Sequence, residues 1–136
     1  MKYFIYIAIL LASCQQKEKE ASIVGKWEYV RMETYNAAEP INMMDSLINQ
    51  LHESQKGLTF SFAKNKVFKA SLKKPDGSTE PMGEQPYELA EDKKTVILKN
   101  TGRPDDKFPV IELSDTLLKI NIFYSPKAYM VFKRMD

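Results

Sequence analysis

The side chains able to do chemistry are few and scattered. His52 is the only histidine and stands beside Glu53. A general base needs an orienting partner and a cleft; His52 reads instead as a solvated position on a helix. Ser46, Ser54 and Ser61 lie in no Gly-x-Ser-x-Gly elbow, so no activated serine is in view. Glu28, Glu33, Glu88 and Glu112 fall on strand-like stretches among polar neighbours, the pattern of an outward face rather than of an acid–base pair. Asp105 and Asp106 offer two loop carboxylates without the further oxygens that calcium takes. One His and one Cys exclude a multi-histidine centre, a cysteine-rich metal site and a disulfide framework. No glycine-rich phosphate loop is present. The reading is of a protein that is not an enzyme, with no catalytic residues, no metal and no cofactor.

Cys14 is the exception, because of where it stands. Lys2 supplies a positive charge, Tyr3 to Ala12 (YFIYIAILLA) is an apolar run, and polar Gln15-Gln16-Lys17 follows Cys14. A helix of that length rises only about 15 Å, half the hydrocarbon core of a bilayer. The run therefore reads as a signal-peptide core rather than a membrane span. Leu11-Ala12-Ser13-Cys14 resembles the lipobox of bacterial lipoproteins. That resemblance implies cleavage before Cys14, a diacylglycerol on its thiol and an acylated amino terminus. Two or three acyl chains anchor a protein stably, where one barely does. Residues 1–13 are then a lipoprotein signal peptide and 14–21 the lipidated Cys and its tether. Gln15 to Ala21 (QQKEKEA) can extend at most about 25 Å. The expected address is the bacterial cell envelope, at the outer membrane in preference to the inner, on its periplasmic face or at the cell surface.

The elements that must position everything else lie in 22–136. The chain has 136 residues, 43% of them hydrophobic, and a net charge of +2 from 20 basic and 18 acidic side chains. That is one ordinary globular domain, with no charge excess to suggest nucleic acid. The periodicity is mostly two. Gly25 to Thr34 reads as a first strand. Leu58, Phe60 and Phe62 alternate with Thr59, Ser61 and Ala63 in a second, and Phe68, Ala70 and Leu72 mark a third. Pro75-Asp76-Gly77 is a turn. Pro81, Gly83 and Pro86 are expected to keep the next stretch irregular, leaving a short strand at Tyr87 and Leu89. Thr95 to Lys99, Phe108 to Leu113, Leu118 to Ile122 and Ala128 to Arg134 complete eight strands. One helix interrupts them, from about Pro40 to Lys56, stopped by Gly57. Its stripe is Ile41, Met44, Leu47 or Ile48, and Leu51.

Eight antiparallel strands in series either leave two open edges or close, and closure removes the edges. At eight strands the interior is filled by side chains or holds one small ligand. The expected fold is all-β: an eight-stranded up-and-down antiparallel barrel with one helix between strands 1 and 2.

Ile23-Val24-Gly25-Lys26-Trp27 is similar to the Gly-x-Trp signature that opens the first strand of lipocalins and their relatives. Arg134, in Val131-Phe132-Lys133-Arg134, stands where that group carries an Arg late in the last strand. Ser114-Asp115-Thr116 occupies the place of the family's Thr-Asp-Tyr motif and departs from it at two of three positions. The chain most resembles the small lipocalin-like lipoproteins of diderm bacteria. The resemblance implies that Gly25 bends the chain into the barrel floor, Trp27 plugs the floor, and Arg134 packs over the indole. The related fatty-acid-binding barrels end with Arg-x-Tyr, which this last strand lacks, so their carboxylate-holding mechanism is not carried over.

Two functions from different classes follow. In the first, the barrel binds a small hydrophobic or amphipathic molecule among Met44, Leu51, Phe60, Phe62, Phe68, Tyr87 and Phe132, with the helix as lid. In the second, the barrel is packed solid and serves as a structural or partner-binding envelope lipoprotein. Both have the lipid membrane as partner through acylated Cys14, and both are expected to be monomeric.

Overall fold

The computed structural model describes residues 21–35, 46–124 and 128–135. Cys14, Pro40, Ile41, Met43, Met44 and the side chains of Leu47 and Ile48 lie outside the described residues. The strands are β1 (Gly25–Thr34), β2 (Leu58–Phe62), β3 (Val67–Lys73), β4 (Thr79–Leu89), β5 (Thr95–Leu98), β6 (Asp106–Leu113), β7 (Leu117–Ile120) and β8 (Ala128–Arg134). One helix, α1 (Ser46–Gln55), lies between β1 and β2. Each strand pairs antiparallel with the next, and β1 closes on β8. The closing seam runs from Trp27 opposite Arg134 to Thr34 opposite Ala128. The fold is therefore an all-β, eight-stranded up-and-down closed barrel.

Alternation builds the core. Leu58, Phe60 and Phe62 are buried on β2, with Thr59 and Ser61 outside them. Val96 and Leu98 do the same on β5, and Leu118 and Ile120 on β7. In β1 the alternation slips once, because the register against β8 shifts between Tyr29 and Arg31. That bulge turns both Tyr29 and Met32 inward although they are three residues apart. Two glycines are required by geometry. Gly25 enters β1 with φ +142°, where a side chain is strained. Gly57 ends the helix segment at φ +87°, and a Cβ there would lie 2.6 Å from the Lys73 carbonyl oxygen.

Three local expectations change. β4 is not a short strand at Tyr87 and Leu89; it runs for 11 residues through Pro81, Gly83 and Pro86. The reason is its position. β3 pairs with it from Val67 opposite Pro86 to Lys73 opposite Thr79, whereas β5 pairs only with Tyr87, Glu88 and Leu89. The upper part of β4 is thus an edge, where a proline's missing N–H breaks no ladder. Met82 is the extra residue between Ala70 opposite Gly83 and Ser71 opposite Pro81. β7 stops at Ile120, short of Ile122. The Asn121 N–H bonds to the Pro109 carbonyl, and Tyr124 then turns at φ +53°. His52, third, is half-buried against β1 rather than fully solvated, as described next.

Candidate functional site: a barrel floor and an apolar pocket

β1, β8, the segment before β1 and the β6–β7 turn meet at one end. Trp27 is fully buried there, and its indole N–H donates to the Ile23 carbonyl at 2.9 Å. The Arg134 guanidinium carbon lies 4.2 Å from the ring centroid. Its nitrogens donate to three carbonyls: Nε to Asp115 at 2.7 Å, Nη1 to Val24 at 2.8 Å and Nη2 to Ser22 at 2.7 Å. One side chain thus stacks on the floor and ties two chain segments to it. The indole bond and the three carbonyl bonds had no signal in the sequence, because main-chain acceptors are contributed by conformation rather than residue type.

Above the floor lies an aromatic stack. Phe60 stacks on Phe132 with centroids 4.5 Å apart, and Phe132 meets the edge of Tyr29 at 5.9 Å. Phe62 lies against Phe68 and Tyr87, both at 5.0 Å. The Tyr87 hydroxyl donates to the Ala63 carbonyl at 2.9 Å, giving its polar end a partner inside the core.

Towards the other end, an apolar pocket of about 190 Å³ opens among Phe60, Phe62, Phe68, Ala70, Val96, Leu98, Phe108, Ile120 and Ile122. Its walls come from β2, β3, β5, β6, β7 and Ile122 just after β7. Of the residues proposed from sequence to touch a ligand, Phe60, Phe62 and Phe68 line this space. Tyr87 and Phe132 pack elsewhere in the core, and half-buried Leu51 is on α1. Val96, Leu98 and Phe108 were visible only as members of strands, and Ile120 and Ile122 as apolar strand positions.

α1 is joined to β1. The Tyr29 hydroxyl and His52 Nδ1 are 2.6 Å apart, with ring centroids at 5.7 Å. His52 is half-buried, so its carboxylate neighbour misled: the imidazole faces the barrel and Glu53 faces out, paired with Lys56. Burial, and then the charge on Glu53, push the Tyr29 phenol up to about 12.

The outer carboxylates are ion-paired. Glu28 meets Lys133, Glu88 meets Lys99 and Glu112 meets Lys119. Glu33 is more than a surface group. It accepts from Arg31 at 2.7 Å and from the Tyr129 hydroxyl at 2.9 Å, and Lys119 lies at 3.1 Å. Partial burial pushes its carboxyl up, but the bonds from Arg31, Lys119 and Tyr129 outweigh that and hold it at about 2. Among the described residues no group of three His, Cys, Asp or Glu is placed to hold a metal ion.

The closed barrel, the Gly25–Trp27 opening and Arg134 over the indole define a class, the calycin-type barrels. Residues 23–120 match the model of the lipocalin-like domain family, so the chain belongs to that family. No curated protein matches it. Among solved structures, a lipocalin-like protein from Bacteroides uniformis aligns over 82% of this chain and 97% of its own, at 16% identity and a TM-score of 0.52. An uncharacterized protein from Bacteroides eggerthii aligns over 83% and 99%, at 18% identity and a TM-score of 0.56. At such identities the likeness is one of fold.

Proposed function

We propose that this chain is a lipid-anchored envelope protein whose barrel holds a small apolar ligand, or the apolar end of an amphipathic one. The observation that carries the reading is the pocket. An apolar cavity of roughly 150 Å³ admits benzene, and this one is about 190 Å³ with side chains of nine apolar residues for walls. It suits one ring or a short alkyl segment; a whole long acyl chain is too large. The anchor is Cys14, and the reading includes no catalytic step.

The aromatic packing of Phe60 on Phe132 and of Phe62 on Phe68 and Tyr87 favours the second reading, a barrel that is essentially packed and works through a partner. Titration with the one-ring, polarity-sensitive fluorophore 4-(dimethylamino)benzonitrile separates the two. Saturable binding by the wild type, lost in Ile122→Trp, supports the pocket. Equal probe response in both proteins, with no small molecule retained in a native mass spectrum, supports the packed barrel.

A further inference from the structure

β4 outruns its neighbour. Of its 11 residues, β5 covers Tyr87, Glu88 and Leu89, and the Lys99 N–H adds one bond to the Pro86 carbonyl. From Thr79 to Gln85, β4 has β3 on one side and no strand on the other. The cleft this leaves runs beside the pocket. Pocket-lining Phe68 and Ala70 are paired with Gln85 and Gly83, and pocket-lining Leu98 is paired with Tyr87. Gly83 places no side chain there, and a Cβ on it would meet nothing nearer than Gln85 Oε1 at 4.0 Å.

Among the described residues, one side-chain bond reaches from the unpaired stretch of β4 to the β5 side: Gln85 Nε2 donates to Asn100 Oδ1 at 3.0 Å. The next link, between Glu88 and Lys99 at 3.2 Å, lies where the two strands are already paired. Asn100 is held from several sides. Its Oδ1 also accepts from Arg103 at 3.2 Å, and its Nδ2 donates to the Pro104 carbonyl and to Asp106, both at 2.9 Å. Asn100 is therefore a fixed post and Gln85 a latch attached to it by a single bond. α1 is tied to β1, which contributes no residue to the pocket wall.

We propose that the cleft between β4 and β5 is the door of the pocket, that the Gln85–Asn100 bond keeps it closed, and that a ligand passes there rather than under α1. The ligand this door suits is amphipathic, since its apolar part reaches the pocket past the amides of Gln85 and Asn100. The inference rests on the proposed binding function. Opening the latch changes how fast a ligand enters and leaves, with little change in affinity, because the pocket itself is untouched. Plugging the gap at Gly83 slows both directions; its backbone is outside the left-handed region and the space is open, so a side chain is accommodated.

Stopped-flow mixing of the one-ring, polarity-sensitive fluorophore 4-(dimethylamino)benzonitrile with the full chain, and with Gln85→Ala, Gly83→Leu and Leu51→Ala, tests this. The expected result is association and dissociation roughly threefold to tenfold faster in Gln85→Ala, the factor one side-chain hydrogen bond is worth. Both steps should be slower in Gly83→Leu and unchanged in Leu51→Ala. Gln85→Ala removes no core group, so it decides the question even if Gly83→Leu folds poorly. Unchanged rates in Gln85→Ala together with faster release in Leu51→Ala would place the door at α1 and overturn the inference. Absence of saturable binding in the wild type defeats the binding function itself, and the door with it.

Discussion

Arg134 reaches further than the ring it covers. A cation–π contact contributes roughly 0.5–2 kcal/mol, and losing a buried Trp costs about 3–5 kcal/mol. From these alone Trp27→Ala should destabilise far more than Arg134→Ala. The bonds to Ser22, Val24 and Asp115 narrow that gap, since each carbonyl loses a charged donor. Urea unfolding, read through the single Trp, should show Arg134→Ala losing about 2–3 kcal/mol. Arg134→Lys should recover little of it, because an ammonium cannot reproduce the planar fork. Full recovery by Lys would reduce Arg134 to a surface charge. Glu33 gives a second residue-scale test, with a definite sign. Its folded carboxyl is held at about 2, well below the ordinary 4.5. A depressed carboxylate stabilises the fold above the unfolded value and loses that stabilisation as pH falls. The thermal midpoint should therefore drop between pH 4.5 and about 2 in the wild type, and drop less in Glu33→Gln. Identical acid profiles would mean that Arg31, Lys119 and Tyr129 do not hold the carboxylate in solution.

Elements were legible where one face is buried and the other wet. Gly25–Thr34 and Leu58–Phe62 are strands over the bounds their composition implies, because period-two alternation is a direct print of a half-buried sheet. Ala128–Arg134 was legible as an apolar run, and its first five residues are all buried. β4 was not legible. Pro81 and Pro86 argue against a strand by propensity, but edge status depends on how far β5 extends, which is a tertiary fact. His52 was misread for a similar reason: whether an imidazole beside a carboxylate is wet depends on the helix's rotation over the barrel. That contact also makes α1 testable as an element. α1 contributes no strand to the barrel's closure, and its described polar tie is the Tyr29–His52 bond. Replacing 40–56 with a short Gly/Ser linker should leave a closed barrel with unchanged strand content in far-UV circular dichroism. His52→Ala alone should lower stability by about 1 kcal/mol, the worth of one partly buried hydrogen bond. Loss of the β signal on linker replacement would mean that α1 takes part in closing the sheet.

At the scale of the whole molecule, the described chain enters the barrel at its floor. Ala21–Val24 leads into β1 at the side where Arg134 grips Ser22 and Val24, so the chain leaves the floor and not the pocket end. With a lipidated Cys14, a tether of at most about 25 Å would hold the floor towards the bilayer and leave the pocket facing away from it. The apolar run and the cysteine were readable from the sequence, since a short apolar run followed by a lone Cys is a composition signal. The pocket was not, because eight strands alone permit a filled or a hollow interior. The membrane attachment is checked by replacing Cys14 with Ser and fractionating cells. The wild type should stay with membranes through a high-salt wash, as an acyl anchor does, and Cys14→Ser should appear in the soluble fraction. Salt-sensitive retention of both proteins would indicate electrostatic adsorption, since only surface charge contacts are screened. Salt-resistant retention of Cys14→Ser would move the anchor to the uncleaved apolar run Tyr3–Ala12. The orientation follows separately: trypsin added outside membrane vesicles should cut after exposed Lys73, at the end of β3, before it cuts after Lys26, which stands at the floor and should be shielded by the lipid surface.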